Sequence, residues 1–466
     1  MKVSRRTALR AAVYLATPWL LFGPSQLRAR NSRDAQNSEK HVVVIGAGMA
    51  GISAAKQLLV NGYRVTVLEA RDRPGGRIWT TQRLGVPVDL GAAWIHGDSR
   101  NNPLMKLARE HSLRTRATDW DETWLYKKGQ GVIENDSDYE LIEEKAQQII
   151  NRIHDLQRTA SDNESMGNAI NLLLESTSGS SIIKDGVRWW LSSEIEAVMG
   201  VNYKDLSLKY WDEDEEFDGS DLLLEKGYGN LIEKMATGLD IRYQHIVDKI
   251  QYSEGGTKVS GGWGSMEADS VLITVPLGVL KESFIQFTPK LPRGKLDSIE
   301  RLGMGLLNKI VMRFREPFWP SDAHRLGLLS STTLERVEFF PIPPLADSTV
   351  LLALVYGDFA RRIEDLPKQQ IVQLLLSQLR DMFGETVPSD VLDIMITGWG
   401  NDEFAMGSYS HIPPGASLQD CEDLSKPVGA SLFFAGEATN RLYPGTVHGA
   451  YLSGLRAARQ IELAHS

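Results

Sequence analysis

The stretch His41-Val-Val-Val-Ile-Gly-Ala-Gly-Met-Ala-Gly51 decides the fold, because an apolar run leads directly into three glycines. Gly46 permits a tight turn, Gly48 lets phosphates approach the backbone, and Gly51 lets the following helix pack against the strand. Residues 50–60 have helix-forming composition, and the start of that helix would face the negative charge of a pyrophosphate. The stretch therefore predicts a strand–turn–helix unit that binds a dinucleotide.

A second strand is expected over residues 63–68, and it ends at Glu69. This position is near the roughly 20-residue offset at which an acidic residue accepts hydrogen bonds from ribose hydroxyls. An acid there disfavours the 2′-phosphate of NADP. A strand-end carboxylate in solvent is the alternative interpretation.

Length and charge limit the class of protein. The 466 residues exceed what one hydrophobic core usually serves, so two domains are expected. The single cysteine, Cys421, excludes an intramolecular disulfide, and no histidine–cysteine cluster indicates a metal site. The formal net charge is −9, and loss of residues 1–30, with six basic and no acidic side chains, changes it to −15. Such a surface repels nucleic acid and attracts cations.

Residues 1–30 are predicted to be an export signal. Arg5 and Arg6 precede an apolar run over residues 11–22, which is short for a membrane span. The paired arginines resemble the twin-arginine address of bacteria, which carries folded, cofactor-loaded proteins. We therefore expect export to the periplasm or an equivalent compartment, with residues 31–40 as a polar linker. An uncleaved signal that tethers the chain to a membrane is the alternative.

The rest of the pattern predicts a nucleotide fold that opens near the N-terminus and closes at the C-terminus. Residues 138–160 have apolar positions at helical spacing, and residues 241–273 indicate a strand, a hairpin and a strand. A further strand is expected over residues 307–314. A buried strand over 432–435 and a helix over 446–463 end the chain. A substrate domain is then inserted in two pieces.

Several separated motifs match one family in order and spacing. They are Gly75-Gly76-Arg77, the run from Val88 to Gly97, Lys309 on its strand, Trp399-Gly400 and the run from Phe434 to Thr439. Residues 41–466 thereby resemble the flavin-containing amine oxidases, which include polyamine oxidases, monoamine oxidases and the lysine-specific histone demethylase. The resemblance implies an α/β fold in which a Rossmann-like FAD-binding domain carries an inserted mixed α+β substrate domain. The predicted boundaries are 41–115, 222–300 and 425–466 for the FAD-binding domain and 116–221 and 301–424 for the substrate-binding domain.

The resemblance also implies which residues hold FAD. Ser408 stands where monoamine oxidases carry the cysteine that bonds flavin, so non-covalent binding is expected. Arg77 is available to a phosphate, Glu437 is expected to contact the ribityl or phosphate region, and the helix after Thr446 would begin beside the flavin. The predicted cofactor-binding residues are Gly46, Gly48, Met49, Ala50, Gly51, Glu69, Ala70, Arg71, Gly76, Arg77, Gly91, Ala92, Ala93, Trp94, Val247, Trp399, Gly436, Glu437, Thr446 and Val447.

Four side chains are candidates for the chemistry: Lys309, Tyr409, Tyr443 and His96. A strand lysine is normally solvated, but residues 307–311 resemble the family segment whose lysine holds a water at flavin N5. The two tyrosines match positions whose rings flank the substrate amine, although half-buried core tyrosines are the alternative. His96 would orient a substrate nitrogen, and a structural histidine is nearly as consistent with the sequence.

Substrate contacts are harder to identify. Residues 94–97 resemble animal polyamine oxidases more than L-amino acid oxidases, which carry an arginine for the substrate carboxylate. Trp94, His96 and Glu196 are the candidate substrate residues, and Glu194 is another weak one. The acidic run over residues 212–216 would attract a polycation, whereas a solvated loop is the more ordinary interpretation.

The expected activity is oxidation of polyamines such as spermidine or spermine. Hydride passes to flavin N5, water hydrolyses the imine to an aldehyde and an amine, and oxygen reoxidises the flavin and yields hydrogen peroxide. An L-amino acid or monoamine oxidase is the first alternative, and a non-catalytic flavin-binding protein is the second. Histone demethylation is not expected, because the chain has an export-type signal and no long coiled-coil insertion. The expected partners are a polyamine, oxygen and export machinery.

Overall fold

A five-stranded parallel sheet contains the strand of the glycine motif in the computed structural model, which describes residues 40–133, 136–329, 336–342 and 348–466. Its strands, in order across the sheet, are Ile241–Arg242, Arg64–Leu68, His41–Ile45, Ser270–Ile273 and Leu432–Phe434. Val42, Val43 and Val44 are fully buried, as is typical of parallel strands covered on both faces. The strands predicted near the two ends of the chain therefore lie in one sheet.

Two long helices pack against each other beside this sheet. Met49–Val60 follows the glycine motif, and Val447–His465 is the last helix. The contact is close, because a Cβ added to Gly454 would meet Ser53 Oγ at 2.1 Å. The C-terminal helix thus closes the fold that the glycine motif opens, as predicted from the sequence.

The region between residues 241 and 273 contributes strands to two sheets. Lys249–Ser253, Gly256–Gly261 and Gly264–Ala268 form an antiparallel meander, and Gln286–Thr288 adds a parallel edge strand. Ser270–Ile273 belongs to the five-stranded sheet instead. The predicted strands and hairpin are confirmed, with tight turns over residues 254–255 and 262–263.

A seven-stranded sheet forms the second large layer. Its strands, in order, are Asp393–Ile396, Leu307–Arg313, Val350–Tyr356, Glu338–Pro341, Arg325–Leu329, Thr123–Lys127 and Gly131–Val132. Helices Gly357–Glu364 and Lys368–Phe383 cover one face and bury apolar side chains such as Leu375. Because side chains alternate along a strand, Lys309 lies on the other face. The strand predicted over residues 307–314 is confirmed.

Helices Asp136–Gln157, Met166–Ser176 and Ser181–Leu191 form a separate apolar cluster. The first is the amphipathic helix predicted over residues 138–160, and it buries Ile142 and Ile153 as expected. A π-helical turn, Ser192–Glu196, continues directly from the third helix. Such turns re-aim side chains and often occur at functional sites.

The remaining elements are short. The helices are Pro103–Glu110, Ala197–Met199, Gly229–Ala236, Leu277–Lys281, Arg293–Arg301 and Leu418–Ser425, with 3₁₀ turns at Tyr203–Asp205, Gly384–Thr386 and Glu437–Thr439. One small sheet contains the three strands Trp94–Ile95, Leu222–Leu224 and Thr115–Ala117. A second pairs Gly303–Gly305 with Tyr409–His411, and a third pairs Thr80–Thr81 with Val88–Asp89. Within the described part of the chain, no helix has the length and apolar character needed to cross a membrane. The export signal predicted over residues 1–30 lies outside the described residues, as do residues 31–39 of the linker, and the domain boundaries stay a prediction.

Candidate active site

The three glycines of the motif have different surroundings. Gly46 adopts φ +106°, which residues with side chains rarely adopt, and its N–H donates to Leu68 O. A Cβ on Gly51 would meet Gly46 O at 2.0 Å, so Gly51 allows the helix to pack on the turn. A Cβ on Gly48 would meet no other protein atom closer than 3.9 Å. The missing side chain at Gly48 therefore leaves room for a ligand, whereas at Gly51 it leaves room for the protein itself.

Glu69 ends the second strand and is buried. Its Oε2 accepts from Ala47 N–H at 2.7 Å, and its Oε1 accepts from Arg71 N–H at 2.9 Å. Burial raises the pKa of Glu69, against the lowering effect of these backbone donors. A carboxylate has about four acceptor sites, so this one can still accept from a ribose hydroxyl. The alternative interpretation, a strand-end carboxylate in solvent, is wrong.

A cavity of about 640 Å³ runs from the glycine motif to the seven-stranded sheet. This volume lies in the range of ligand-binding cavities, about 300–1,000 Å³. The predicted site residues that line it are Gly46, Gly48, Met49, Ala50, Glu69, Ala70, Arg71, Gly76, Arg77, Gly91, Ala92, Ala93, Trp94, His96, Val247, Lys309, Trp399, Tyr409, Gly436, Glu437, Thr446 and Val447. Gly51, Glu196 and Tyr443 lie outside that lining.

Three glycines leave open space at the cavity wall, so that a dinucleotide could approach the backbone there. A Cβ on Gly48 or Gly76 would meet no other protein atom closer than 3.9 Å, and a Cβ on Gly436 would meet none within 4 Å. All three line the cavity. Side chains there would fill the space from which a phosphate or ring reaches the backbone. The residues present therefore fit the expected dinucleotide.

Two arginines of the cofactor prediction have carboxylate partners in the protein. Arg71 donates to both oxygens of Asp402, at 2.9 and 2.7 Å. Arg77 Nη1 donates to Glu437 Oε1 at 2.8 Å and to Ser408 O at 2.9 Å. Glu437 also accepts from Gly445 N–H at 2.9 Å. Glu437 thus connects the segment Gly75-Gly76-Arg77 to the turn that precedes the last helix, a contact that the sequence did not predict.

The segment around Gly91 forms one wall of the cavity by close packing. A Cβ on Gly91 would meet Arg77 O at 1.8 Å, so no larger residue fits. Trp399 is buried beside it, and its Nε1 donates to Leu90 O at 3.1 Å. These contacts place Trp94 on the cavity surface, where its ring lies 5.7 Å from that of Trp120.

Lys309 is buried, with 3% of its surface exposed. Its Nζ donates to Asp89 O at 2.8 Å and to Gly91 O at 2.7 Å, and it lies 5.6 Å from the centre of the Trp94 ring. Burial lowers the pKa of Lys309 to about 8, and the nearby Asp89 carboxylate opposes this change. The ordinary expectation of a solvated strand lysine is therefore wrong. Two of its three donors are used by the backbone, which leaves one for a ligand or water in the cavity.

The two tyrosines predicted to flank the substrate have different surroundings. Tyr409 lines the cavity, and its hydroxyl donates to Ala197 O at 3.2 Å. Tyr443 instead stacks on Phe217 at 4.9 Å, and its hydroxyl donates to Glu215 at 3.2 Å. The turn explains the difference, because Asn440 Oδ1 accepts from the N–H of Tyr443 and fixes the backbone. Tyr443 therefore lies outside the cavity lining, behind Phe217, and its contact with substrate stays a prediction.

Substitution of the two tyrosines is expected to give unequal effects. Tyr409→Ala removes a cavity wall and should slow turnover about tenfold or more, whereas Tyr443→Phe keeps the stacked ring and should change turnover less than about threefold. Steady-state kcat with one amine substrate checks both. A larger loss of kcat in Tyr443→Phe than in Tyr409→Ala would support the predicted position of Tyr443 beside the substrate amine.

His96 is held in the cavity wall by a buried carboxylate. Its Nδ1 lies 2.9 Å from Asp221 Oδ1, and Asp221 Oδ2 accepts from Trp120 Nε1 at 3.0 Å. Close by, burial lowers the pKa of His448 to about 3, an effect to which His96 adds. A neutral His448 and an oriented His96 therefore both line the cavity, and the contact of His96 with a substrate nitrogen stays a prediction.

Glu196 was predicted to contact substrate, and the structure places it elsewhere. It is buried, and its carboxylate accepts from Ser192 Oγ at 2.6 Å and from Tyr203 N–H at 3.0 Å. Its position on the π-helical turn aims it into the helical layer. Glu194, two residues earlier, lines the cavity instead. Glu194 and Glu196 point in different directions on this π-helical turn, and only Glu194 faces the cavity. The sequence does not reveal the turn.

Many lining residues were not named from the sequence, among them Trp120, Arg325, Glu338 and Phe340. The available signal was a charged residue within an apolar strand, since Glu338 stands in a strand whose residues are all buried. Buried charged residues are rare unless they are paired, so this position marks a site.

The acidic run is divided between two surroundings. Asp214, Glu215 and Glu216 line the cavity, whereas Asp212 accepts from Gln157 Nε2 at 2.7 Å and lies 2.9 Å from His154. The cavity is consequently bordered by carboxylates at this side. Such a border attracts cations, with a strength that falls as salt increases.

Comparisons with known proteins agree with this geometry. Residues 49–462 match the family model described as flavin containing amine oxidoreductase. The chain is 36% identical over 442 residues to Polyamine oxidase 5 of Oryza sativa subsp. japonica, covering 91% of this chain and 88% of that protein. It is 38% identical over 460 residues to Lysine-specific histone demethylase 1 homolog 2 of Arabidopsis thaliana, covering 95% of this chain and 61% of that longer protein. A solved structure of a redesigned putrescine oxidase has the same fold, with a TM-score of 0.73 at 21% identity, covering 91% of this chain and 99% of that one.

Proposed function

The chain belongs to the flavin-containing amine oxidoreductases, and we propose that it oxidises polyamines with non-covalent FAD and with oxygen as the electron acceptor. The observation that carries this proposal is the cavity itself. It joins the dinucleotide motif to a buried Lys309 and continues to the carboxylates of Glu194 and Glu338. Carboxylates beyond the reacting position suit a substrate with more than one positive charge.

Non-covalent binding of FAD is supported by Ser408. Its hydroxyl donates to Leu307 O at 2.8 Å and accepts from Leu307 N–H at 2.9 Å, so it serves as a backbone link. Glu69 and the bare glycines would hold the nucleotide part. The N-terminus of the helix Val447–His465, capped by Thr446, would stabilise negative charge on the flavin ring. FAD, when bound, supplies hydride acceptance and electron transfer to oxygen.

The residues of this chain supply position and a dry surrounding. Trp94, Trp120 and Phe340 pack with ring centres 5.7–6.1 Å apart and form an aromatic wall along the cavity. A neutral amine bound against this wall would have little water around its reacting carbon. The third donor of Lys309 would hold a water or move a proton there. His96 would accept a hydrogen bond from a substrate nitrogen.

The charges around Arg325 give less support to the alternative of an L-amino acid oxidase. An L-amino acid oxidase needs an arginine open to a carboxylate, and Arg325 is the buried arginine in this cavity wall. Its Nη1 lies 3.5 Å from Glu194 and 3.6 Å from Glu338, while its buried Nη2 has no hydrogen-bond partner among the described residues. A substrate carboxylate would meet two like charges there. A monoamine oxidase remains the alternative within this family. Export by a twin-arginine route is proposed from residues 1–30 alone.

The test is a comparison of substrates by hydrogen peroxide release. Purified protein is mixed with spermidine, spermine, a monoamine, an L-amino acid and a dimethyl-lysine peptide. Peroxide from the polyamines at the greatest kcat/KM supports the proposal. Greater kcat/KM with the amino acid, the monoamine or the peptide would transfer the activity to that substrate class.

The rate is expected to rise with pH. Lys309, with a pKa of about 8, loses its proton as the pH rises through that value, and the reacting amine must also be neutral to donate hydride. Neutral Lys309 keeps two N–H donors for Asp89 O and Gly91 O and gains a lone pair that can accept a proton in the cavity. Both changes therefore raise the rate, and kcat/KM should increase about tenfold or more between pH 6.5 and 9. A pH series of initial rates checks this. A flat profile would contradict the requirement for a neutral amine.

A further inference from the structure

Asp89 connects Lys309 to a helix that lies outside the cavity. The backbone oxygen of Asp89 accepts from Lys309 Nζ at 2.8 Å, while its side chain has other partners. Its Oδ1 accepts from Tyr228 N–H at 2.9 Å and from the hydroxyl of Thr80. Asp89 itself is not part of the cavity lining. One residue thus holds the lysine with its backbone and places a carboxylate close to it.

Covalent geometry keeps this carboxylate near the ammonium of Lys309. The backbone oxygen and the carboxylate oxygens of one aspartate are separated by no more than about 5 Å, given bond lengths of about 1.2 to 1.5 Å. Together with the hydrogen bond of 2.8 Å, this places the carboxylate within roughly 8 Å of Lys309 Nζ. Lys309 is buried, and charges act on each other more strongly where water is scarce. The state of Asp89 therefore affects the charge of the lysine.

Two features keep the Asp89 carboxylate ionised. The helix Gly229–Ala236 begins beside it, and Gly229 N–H donates to Thr80 Oγ1 at 2.7 Å. The positive end of this helix thus faces the Thr80–Asp89 pair. Burial raises the pKa of Asp89 to about 6, against the lowering effect of Thr80, Lys309 and the N–H of Tyr228. At pH 7 and above, Asp89 is therefore mostly charged.

Other charged side chains on this face of the seven-stranded sheet lie farther along it. They are Arg313, Asp393, Glu338, Arg325 and Lys127. The first two are four residues along the strands, about 13 Å away, and the others are two or more strands away, roughly 10 Å or more. On the segment that covers Lys309, residues 90–95 carry no charge, and His96 lies against Asp221. Burial keeps the Tyr228 phenol neutral by raising its pKa. Asp89 is thus the charge that opposes the effect of burial on Lys309.

We propose that Asp89 is a positioning residue that stabilises the ammonium form of Lys309 and thereby sets the pH at which this lysine becomes a proton acceptor. The proposal rests on the proposed amine oxidation, in which neutral Lys309 is the active form. Asp89 acts from outside the cavity, because Thr80 and Tyr228 hold its carboxylate. Loss of its charge should therefore keep the shape of the cavity and move the onset of activity toward lower pH.

The kinetic test compares Asp89→Asn with wild type across pH. The variant removes the charge and keeps an acceptor for Tyr228 N–H, and Lys309 should then lose its proton about one pH unit lower. The ratio of kcat/KM in the variant to that in wild type cancels the ionisation of the substrate. It should be about five at pH 7 and about one at pH 9. Asp393→Asn is the matched control, because it removes an equal charge that Arg83 pairs on the same face, and its ratio should stay near one. A ratio for Asp89→Asn that does not change with pH overturns the proposal.

An NMR titration of Lys309 without substrate separates this proposal from the proposed function. The full chain with its FAD carries lysine labelled at Cε, and Lys309→Met identifies the signal. A titration midpoint about one unit lower in Asp89→Asn than in wild type supports the role of Asp89 even where no amine is oxidised. Equal midpoints overturn it, as does an equal shift in Asp393→Asn. Asp89→Glu retains the charge and should keep a midpoint near that of wild type, and a midpoint as low as that of Asp89→Asn would also contradict the proposal.

Discussion

Lys309→Met is expected to retain FAD and to slow flavin reduction or reoxidation by about 100-fold, the usual scale for loss of a group that moves a proton. Methionine has a similar length and suits the buried strand, so the sheet should persist. The ammonium that donates to Asp89 O and Gly91 O is lost, together with its third donor in the cavity. The pH dependence of the rate should then retain only the part that belongs to the substrate.

Stopped-flow absorbance measures the two half-reactions of Lys309→Met separately. The flavin spectrum of the resting variant is the control for cofactor binding. Lys309→Arg is a useful companion, because it keeps a positive charge that does not titrate in this range. Unchanged rates in both half-reactions of Lys309→Met would remove the role assigned to this lysine.

Gly51→Val is expected to destroy both the fold of the motif and cofactor binding. A Cβ there would meet Gly46 O at 2.0 Å, and neither the turn nor the helix Met49–Val60 has room to move, since the last helix packs on its other side. We expect a loss of about 3 kcal/mol or more in the free energy of unfolding, or no folded protein. The midpoint of thermal unfolding and the bound flavin measure the two effects.

Gly48→Ala is the matched control for that substitution. A Cβ at Gly48 would meet no other protein atom closer than 3.9 Å, and the backbone there has an ordinary φ of −77°. The protein should therefore fold with a nearly unchanged melting temperature and bind FAD more weakly. Equal destabilisation by Gly48→Ala and Gly51→Val would contradict the different roles of the two glycines.

Local sequence patterns predicted the parts of this protein that depend on local geometry. The strand and helix around Gly46 were predicted from the spacing of three glycines, and the C-terminal strand and helix were predicted from their apolar runs. Lys309 was found because its whole segment resembles one family. The resemblance also named the predicted cofactor residues, and all of them except Gly51 line one cavity.

The sequence was least informative where side-chain direction depends on contacts far away in the sequence. Tyr443 is turned toward Phe217 by a backbone that Asn440 fixes, and no pattern near the tyrosine reveals this. Glu196 was named as a candidate substrate residue without knowledge of the π turn, and the structure places Glu194 on the cavity wall instead. Glu338 was not named because its place on the cavity wall comes from the register of three strands. Glu338 pairs with Leu354, and Leu354 pairs on its other side with Lys309.

The most direct test of the account is anaerobic mixing of the purified yellow protein with spermidine, followed by admission of oxygen. Flavin absorbance at about 450 nm should be lost without oxygen and should return with release of hydrogen peroxide when oxygen is admitted. Absorbance that stays unchanged with spermidine, spermine and every other amine in the panel would contradict amine oxidation and would leave a flavin-binding protein without this catalysis.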